Sequence, residues 1–517
     1  MLSWPRVLIL GLPVFLVIFQ GLTFNTKPDD EIYLLKLIPN LLTNSGILLF
    51  WVLLFSSMWG GFFAIALSLT NLRGRDFLKK LLFAPLALPL YVSSFIYLGV
   101  TEYGSIPSVL LRKHLGMELD QITRDMGPIW IGFIFALYLS PYLSTALVRA
   151  VDSIGVNQWP VAKTLGLSNN EVITKILLPG VLPWFSSSLM IISMEVLSDF
   201  GGVSAFNYET LSTGIYTAWT GLFSYGLALK ISLTLVFFNL ILFGADKKLK
   251  GAKDFSIKGR SRMSHPPIHL TKTKTIILYI PIIIYFCLSI ILPAFFLINW
   301  TLGTTTAQTN HLIDLVLNTV YVGVATGSFI TVTSFAYSYF SRSDTNFIKK
   351  YLRPFELMGY SLPGPIVAIS IIGLMSFLGN SLNINIEFSG LIVLMLGLTY
   401  RYIFVGERVW ASSFERINES IINTAKVLGL KRYPRFKLSF LPILKKNYLP
   451  IFILLFLEVI KELPITLMLR PFGLNTLSTT IYELTSEGEW EMAAINALTM
   501  LGLGVPLTIL ATRWSKE

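Results

Sequence analysis

Apolar runs long enough to cross a lipid bilayer recur along all 517 residues of the chain. A helix needs about 20 mainly apolar residues to cross a hydrocarbon core of about 30 Å. Such runs fall near 5–22, 41–69, 78–100, 127–148, 181–198 and 223–244, and again near 276–298, 313–340, 353–378, 388–411, 448–466 and 491–512. They predict an all-α polytopic membrane protein with about twelve transmembrane helices. A soluble alternative is excluded by 53% apolar against 14% charged residues, which a globular surface cannot accommodate. The first run, behind Arg6, reads as a retained helix, because Gln20-Gly21-Leu22 is a poor cleavage site and more spans follow. The one cysteine, Cys287, lies in an apolar run, so no intramolecular disulfide and no cysteine-cluster metal site can form.

The net charge of +12 reads as positive-inside loops, not as a nucleic-acid surface. Arg73, Arg75, Lys79 and Lys80 mark one such loop. The segment Asp246 to Lys274 carries nine basic residues against two acids, which suits a polybasic stretch on anionic headgroups. Arg342, Lys349, Lys350 and Arg353, the basic residues of 416–446, and Arg513 with Lys516 fall on the same side if twelve helices are threaded. Both termini are then expected on the cytoplasmic side of the membrane.

An internal repeat divides the chain. Ala162-Lys163-x-Leu165-Gly166-Leu167 returns as Ala425-Lys426-x-Leu428-Gly429-Leu430, and Leu178-Pro179 returns as Leu441-Pro442, each 263 residues on. Further along, Thr210-Leu211-Ser212-Thr213-Gly214-Ile215-Tyr216 matches Thr476-Leu477-Ser478-Thr479-Thr480-Ile481-Tyr482 at an offset of 266. Gly, Pro, Lys, Thr and Tyr recurring in one order mark a duplication with a three-residue insertion between the two registers. Residues 1–245 and 275–517 are the expected halves, joined by a basic linker over 246–274. Six crossings per half give both the same orientation, so the halves can pair about a pseudo-two-fold axis along the membrane normal and leave a solute path between them.

After the fourth span of each half comes a polar, amphipathic segment. Phe414, Ile417, Ile421, Ile422, Ala425 and Leu428 recur at helical spacing, and Gly429 is placed to stop that helix, as Gly166 is in the first half. Ser168 with Glu171 reads as a capping box opening the next helix. Two short helices meeting at a glycine outside the membrane form a rigid knob. The pattern resembles the E-A-A-x₃-G-x₉-I-x-L-P signature of the membrane subunits of binding-protein-dependent ABC importers. Ala162, Gly166, Ile176, Leu178 and Pro179 match it in the first half, and Ala425, Gly429, Leu441 and Pro442 in the second. Departures are Pro160 and Val161, Asn423 and Thr424, and Ser439 where the family has an acid, an alanine and an isoleucine. The resemblance implies a type I importer permease fold. It also implies that loops at about 149–180 and 412–446 couple to two ATPase subunits. No G-x-x-x-x-G-K-[ST] phosphate loop occurs, so ATP and magnesium belong to that partner, and the chain itself is neither an enzyme nor a cofactor carrier.

At the end of the fifth span, Glu195 and Asp199 in one half answer to Glu458 and Glu462 in the other, again 263 apart. Acids there are costly unless they face water or one another, and a spacing of four puts each pair on one helix face. Glu195, Asp199, Glu458, Lys461 and Glu462 are the candidate lining of a translocation path; helix-end acids at headgroup level, partnered by Lys461 or Arg470, are the competing account. The segment Lys461 to Gly473 with Thr476-Leu477-Ser478-Thr479 and Tyr482-Glu483-Leu484 closely resembles the second half of fused ferric-iron permeases. Ser198-Asp199-Phe200-Gly201 with Thr213-Gly214-Ile215-Tyr216-x-Ala218-Trp219 resembles their first half. That family implies ferric iron as cargo in transient passage with no stable metal site, and an extracytoplasmic ferric-binding protein as donor. Carboxylates and tyrosines suit a hard trivalent cation, whereas His114, His265, His269 and His311 are scattered and receive no ligand role. Fused importers of thiamine or phosphonate, and a secondary transporter, are the alternatives.

Overall fold

The computed structural model describes residues 18–19, 21, 28–250, 268–303, 311–341, 362–382, 390–415, 427–429, 434, 437–438 and 441–514. Among them the chain is helical, with no strand beyond an isolated bridge between Thr70 and Ile268. Seven helices are long and apolar enough to cross a membrane, or eight if the pair Arg75–Ala87 and Leu90–Leu115, bent by 86°, is one span. The protein is therefore a multi-pass membrane protein. Of the twelve expected runs, 5–22 lies mostly outside the described residues, and so does the first part of 353–378, whose described remainder is a shorter apolar helix. Those near 388–411 and 448–466 form helices that carry internal charges, Arg401, Glu407 and Arg408 in one and Lys445, Lys446, Glu458 and Lys461 in the other.

Two compact units divide these helices. The first comprises residues 27–217 and 234–303, and the second 1–26, 218–233 and 304–517. In the first unit, α1 (Pro28–Ala64), α2 (Leu90–Thr101), α3 (Pro128–Thr164), α4 (Leu178–Ser198), α5 (Gly201–Ala205) and α6 (Leu211–Tyr216) follow in order. Helix–helix association in lipid depends on close van der Waals contact, which small residues permit. Helix α1 lies along α3 because glycines stand at the contact: a Cβ on Gly132 would come within 2.6 Å of Trp51 Cβ, and one on Gly60 within 2.6 Å of Leu143. The Trp51 Cβ cannot swing aside. Gly132→Leu is accordingly expected to force the helices apart and cost about 1–3 kcal/mol, read as a lower melting temperature of the detergent-purified protein; an unchanged melt would rule out this contact as a determinant of stability.

The same unit is completed by helices from beyond the basic linker, α7 (Lys272–Phe286) and α8 (Leu292–Gly303). Their attachment is specific. The Tyr285 hydroxyl donates to the Leu137 carbonyl at 2.8 Å and lies 3.1 Å from Ser140 Oγ, while Tyr97 donates to the Leu288 carbonyl at 2.8 Å. Trp300 covers Gly99, whose Cβ would stand 2.7 Å from the indole. The expected sequence halves and the compact units are thus different partitions of the chain, since α7 and α8 follow the linker yet pack with the helices before it.

The second unit contains α9 (Leu312–Ser341), α10 (Gly364–Leu382), α11 (Leu391–Glu415), α12 (Leu441–Lys461), α13 (Pro464–Leu469), α14 (Leu477–Ser486) and α15 (Trp490–Trp514). Its contacts repeat those of the first unit. Helix α9 packs on α11 and α12 as α1 packs on α3 and α4, and α10 packs on α13 as α2 packs on α5. Gly323 admits Phe456 and Ile460 of α12, and Trp410 donates its indole N–H to the Thr331 carbonyl at 3.1 Å.

Candidate functional site

The chain turns a corner at Gly166, and its repeat partner Gly429 takes the same left-handed backbone conformation. Helix α3 runs without a break for 37 residues, from the span into the corner, carrying Pro141 and Pro160 inside it. It ends in a Schellman arrangement: Leu167 N–H donates to the Ala162 carbonyl at 3.1 Å and Gly166 N–H to the Lys163 carbonyl at 3.0 Å, with Gly166 at φ 80°. Only glycine takes that left-handed conformation without strain. The next helix opens with the capping box read from the sequence: Ser168 N–H donates to Glu171 Oε2 at 3.0 Å, and Glu171 N–H to Ser168 Oγ at 3.3 Å. From Asn169 the helix continues through a π-helical turn at Ile173–Leu177 into α4, giving one candidate span over Asn169–Ser198. The expected knob of two separate short helices is corrected here, because both of its helices are continuous with membrane spans.

At this corner Ala162 is buried and Ile176 half-buried, while Leu165, Leu178 and Pro179 are exposed, Leu165 at 74%. The second corner shows the same features where it is described. Gly429 stands at φ 68°, and Leu428, the repeat partner of Leu165, is 70% exposed. Val427 and Leu438 are exposed too. Leu441 opens α12, with Pro442 as its second residue, and Ala425 lies outside the described residues. An apolar side chain presented to solvent beside a left-handed glycine, twice in one chain, is a pair of matching contact points that no described element of its own unit covers.

At the far end of α4 and of α12 the helix breaks at an acid. Asp199 caps the short α5, its Oδ2 accepting from Val203 N–H at 3.1 Å. Glu462 does more for α13: Oε1 accepts from Ile465 N–H at 2.8 Å, and Oε2 from Thr466 N–H at 2.9 Å and Thr466 Oγ1 at 3.0 Å. Each carboxylate satisfies orphan donors of a helix start and sits at its positive end. Arg401 of α11 adds a cation to the second break, since its Nη1 and Glu462 Oε1 lie 3.1 Å and 3.0 Å from the point where a Cβ on Gly364 would stand. By the repeat offset of 263, Arg401 answers to Tyr138 of α3, so the first break has no such cation there. Glu195, Glu458 and Lys461 are half-buried on the last turns of α4 and α12.

A clasp absent from the sequence reading holds each break in place. Ser212 Oγ donates to the Asp199 carbonyl at 2.6 Å, and Ser478 Oγ to the Glu462 carbonyl at 3.1 Å. Leu211 N–H donates to Ser45 Oγ at 3.0 Å, and Leu477 N–H to Thr319 Oγ1 at 2.8 Å. Asn44 Nδ2 donates to the Glu209 carbonyl at 3.0 Å, and Asn318 Nδ2 to the Asn475 carbonyl at 3.1 Å. Thr210 and Thr476 open α6 and α14 with equivalent capping boxes. The duplication seen in the sequence therefore extends to individual hydrogen bonds. Among the described residues no group of three or more His, Cys, Asp or Glu side chains is arranged to hold a metal ion.

No family model matches the chain. It is similar to the Fe(3+)-transport system permease protein FbpB 2 of Haemophilus influenzae, 22% identical over an alignment that covers 98% of this chain and 96% of that protein. The alignment therefore spans both sequence halves. The full-length similarity and the all-helical, membrane-spanning body together support the ferric-iron ABC permease family for this chain.

Proposed function

We propose that the chain is the membrane subunit of an ATP-driven importer that takes ferric iron from an extracytoplasmic binding protein and passes it into the cytoplasm. The observation that carries this reading is the pair of matching corners, in which exposed Leu165 and Leu428 stand beside left-handed Gly166 and Gly429. At the first corner both flanking helices are continuous with spans, so a push on the corner is delivered directly to α3 and α4. Two ATPase subunits, holding ATP and magnesium, are the partners that fit two such contacts. The coupling residues are Ala162, Gly166, Ile176, Leu178 and Pro179, with Ala425, Gly429, Leu441 and Pro442. Iron as cargo rests on the name of the relative. Glu195, Asp199, Glu458, Lys461 and Glu462 are assigned to the route, because a broken helix with polar ends is where transporters place solute sites. On this reading the corners, the linker and both termini face the cytoplasm of a prokaryotic cell.

The test is uptake of radiolabelled ferric iron by proteoliposomes that hold the chain with its ATPase and its binding protein. Uptake that needs ATP and the binding protein is expected; uptake driven by an ion gradient without ATP would overturn the reading. Because one chain already carries both contact points, native mass measurement is expected to find one copy per two ATPase subunits. Two copies per ATPase pair would sink that stoichiometry.

A further inference from the structure

The two breaks share one framework, but the second has more chain to accommodate. Ten residues, 200–209, separate Asp199 from Thr210, whereas thirteen, 463–475, separate Glu462 from Thr476. The clasps at both ends are equivalent, so the three extra residues must leave the framework between them. They do so in a turn at Pro471–Leu474. Leu474 N–H donates to the Pro471 carbonyl at 3.1 Å, and Gly473 has φ 82°, the value a type II turn requires at its third position.

The turn is built to hold its shape. Below it, Arg470 donates to Asn475 Oδ1 at 2.6 Å and to Thr479 Oγ1 at 3.0 Å, and pairs with Glu483. Gly390 N–H donates to the Leu469 carbonyl at 3.3 Å, and Asn318 holds Asn475 from α9. Phe472 stands at the tip with its whole side chain exposed, at 106% of the reference value. The shorter loop of the first unit treats an aromatic differently: the Tyr208 hydroxyl donates to the Asn44 carbonyl at 3.2 Å, so that ring is tied to α1 of its own unit.

Phe472 contributes nothing to the unit that displays it, and the duplication does not demand it. A feature present in one half only suits a partner without two-fold symmetry. Helix α12, 21 residues or about 30 Å long, separates this turn from the Gly429 corner, so the two features serve opposite ends. Glu487, Glu489 and Glu491 are exposed just beyond α14, and this acidic stretch is repelled by anionic headgroups but attracts a basic protein surface. We propose that Phe472 anchors the extracytoplasmic donor protein, entering an apolar pocket rimmed by basic residues. This rests on the importer reading above.

The chain with its ATPase, in nanodiscs, is titrated with the iron-loaded binding protein purified from the cells that make the chain, and ATP hydrolysis is followed. Phe472→Ser is expected to raise the half-saturating concentration of that protein about tenfold, with basal and maximal rates unchanged, while Phe472→Trp stays within about twofold of the parent. An unchanged half-saturation in Phe472→Ser overturns the anchor. Absence of any stimulation in the parent chain overturns the importer reading itself, and the anchor with it. A second measurement places a polarity-sensitive dye on Phe472→Cys in a Cys287→Ser background. A spectral shift on adding the binding protein supports the anchor, whereas a shift on entering lipid with none on adding the protein makes Phe472 a headgroup contact and overturns it.

Discussion

Leu165→Asp combined with Leu428→Asp is expected to abolish stimulated ATP hydrolysis while leaving the chain folded in the membrane. Both side chains are exposed, at 74% and 70%, so the substitution removes little from the packing of either unit. In a complex each would be buried, and burying one leucine side chain contributes about 1.5–3 kcal/mol. Losing two such contacts, with a carboxylate desolvated at each, corresponds to at least about a hundredfold weaker association with the ATPase. The melting temperature is expected to stay within about 2 °C of the parent, because exposed substitutions fall within about 0.5 kcal/mol. Co-purification of the ATPase and its hydrolysis rate are the measurements. Normal co-purification and normal stimulation would show that the corners do not carry the contact.

Substitution of the two break acids is expected to separate what their sequence symmetry treats alike. Both oxygens of Glu462 are engaged by backbone N–H groups and the Thr466 hydroxyl, with Arg401 nearby. Glu462→Ala leaves those donors unsatisfied and removes the carboxylate beside Arg401, which costs on the order of 3 kcal/mol. Loss of assembled protein and a lower melting temperature should follow, with Glu462→Gln intermediate because an amide oxygen still accepts. Asp199 receives a lighter set of hydrogen bonds, and its half has Tyr138 where the other has Arg401. Asp199→Asn should therefore fold normally and, if the acid lines the route, reduce iron uptake about tenfold, or about 1.4 kcal/mol along the path. Uptake per assembled complex that is unaltered in Asp199→Asn would remove that residue from the route and leave it as a helix cap.

Local features of this fold were the legible ones. Gly166 and Gly429 could be singled out because positive φ selects glycine, at a Schellman stop in the case of Gly166, and Ser168 with Glu171 announced a helix start within four residues. The duplication was readable because its Gly, Pro and Thr positions are set by backbone geometry, which apolar substitution does not erase. The continuity of α3 from span to corner was not readable, because proline normally suggests a boundary whereas the helix carries Pro141 and Pro160 within it. The place of Arg401 beside Glu462 depends on packing among α10, α11 and α13, which no local pattern encodes. The clasp did leave a trace: Asn44-Ser45 and Asn318-Thr319 are amide-hydroxyl pairs 274 residues apart, each set in an apolar helix. A search for matched polar pairs inside spans would have found it.

The membership of α7 and α8 in the first unit sets a timetable for biogenesis. Translation proceeds at about 5–20 residues per second, so the ribosome needs about 4–17 s to travel the 86 residues from 217 to 303, and until then Tyr97, Leu137 and Ser140 lack the partners that Tyr285 and Leu288 bring. The early helices must wait in the bilayer with polar groups unmet, open to mispairing or to capture by insertion factors. A gene split at the basic linker would separate α7 and α8 from the helices they complete, leaving two polypeptides that can mature only by meeting in the same membrane.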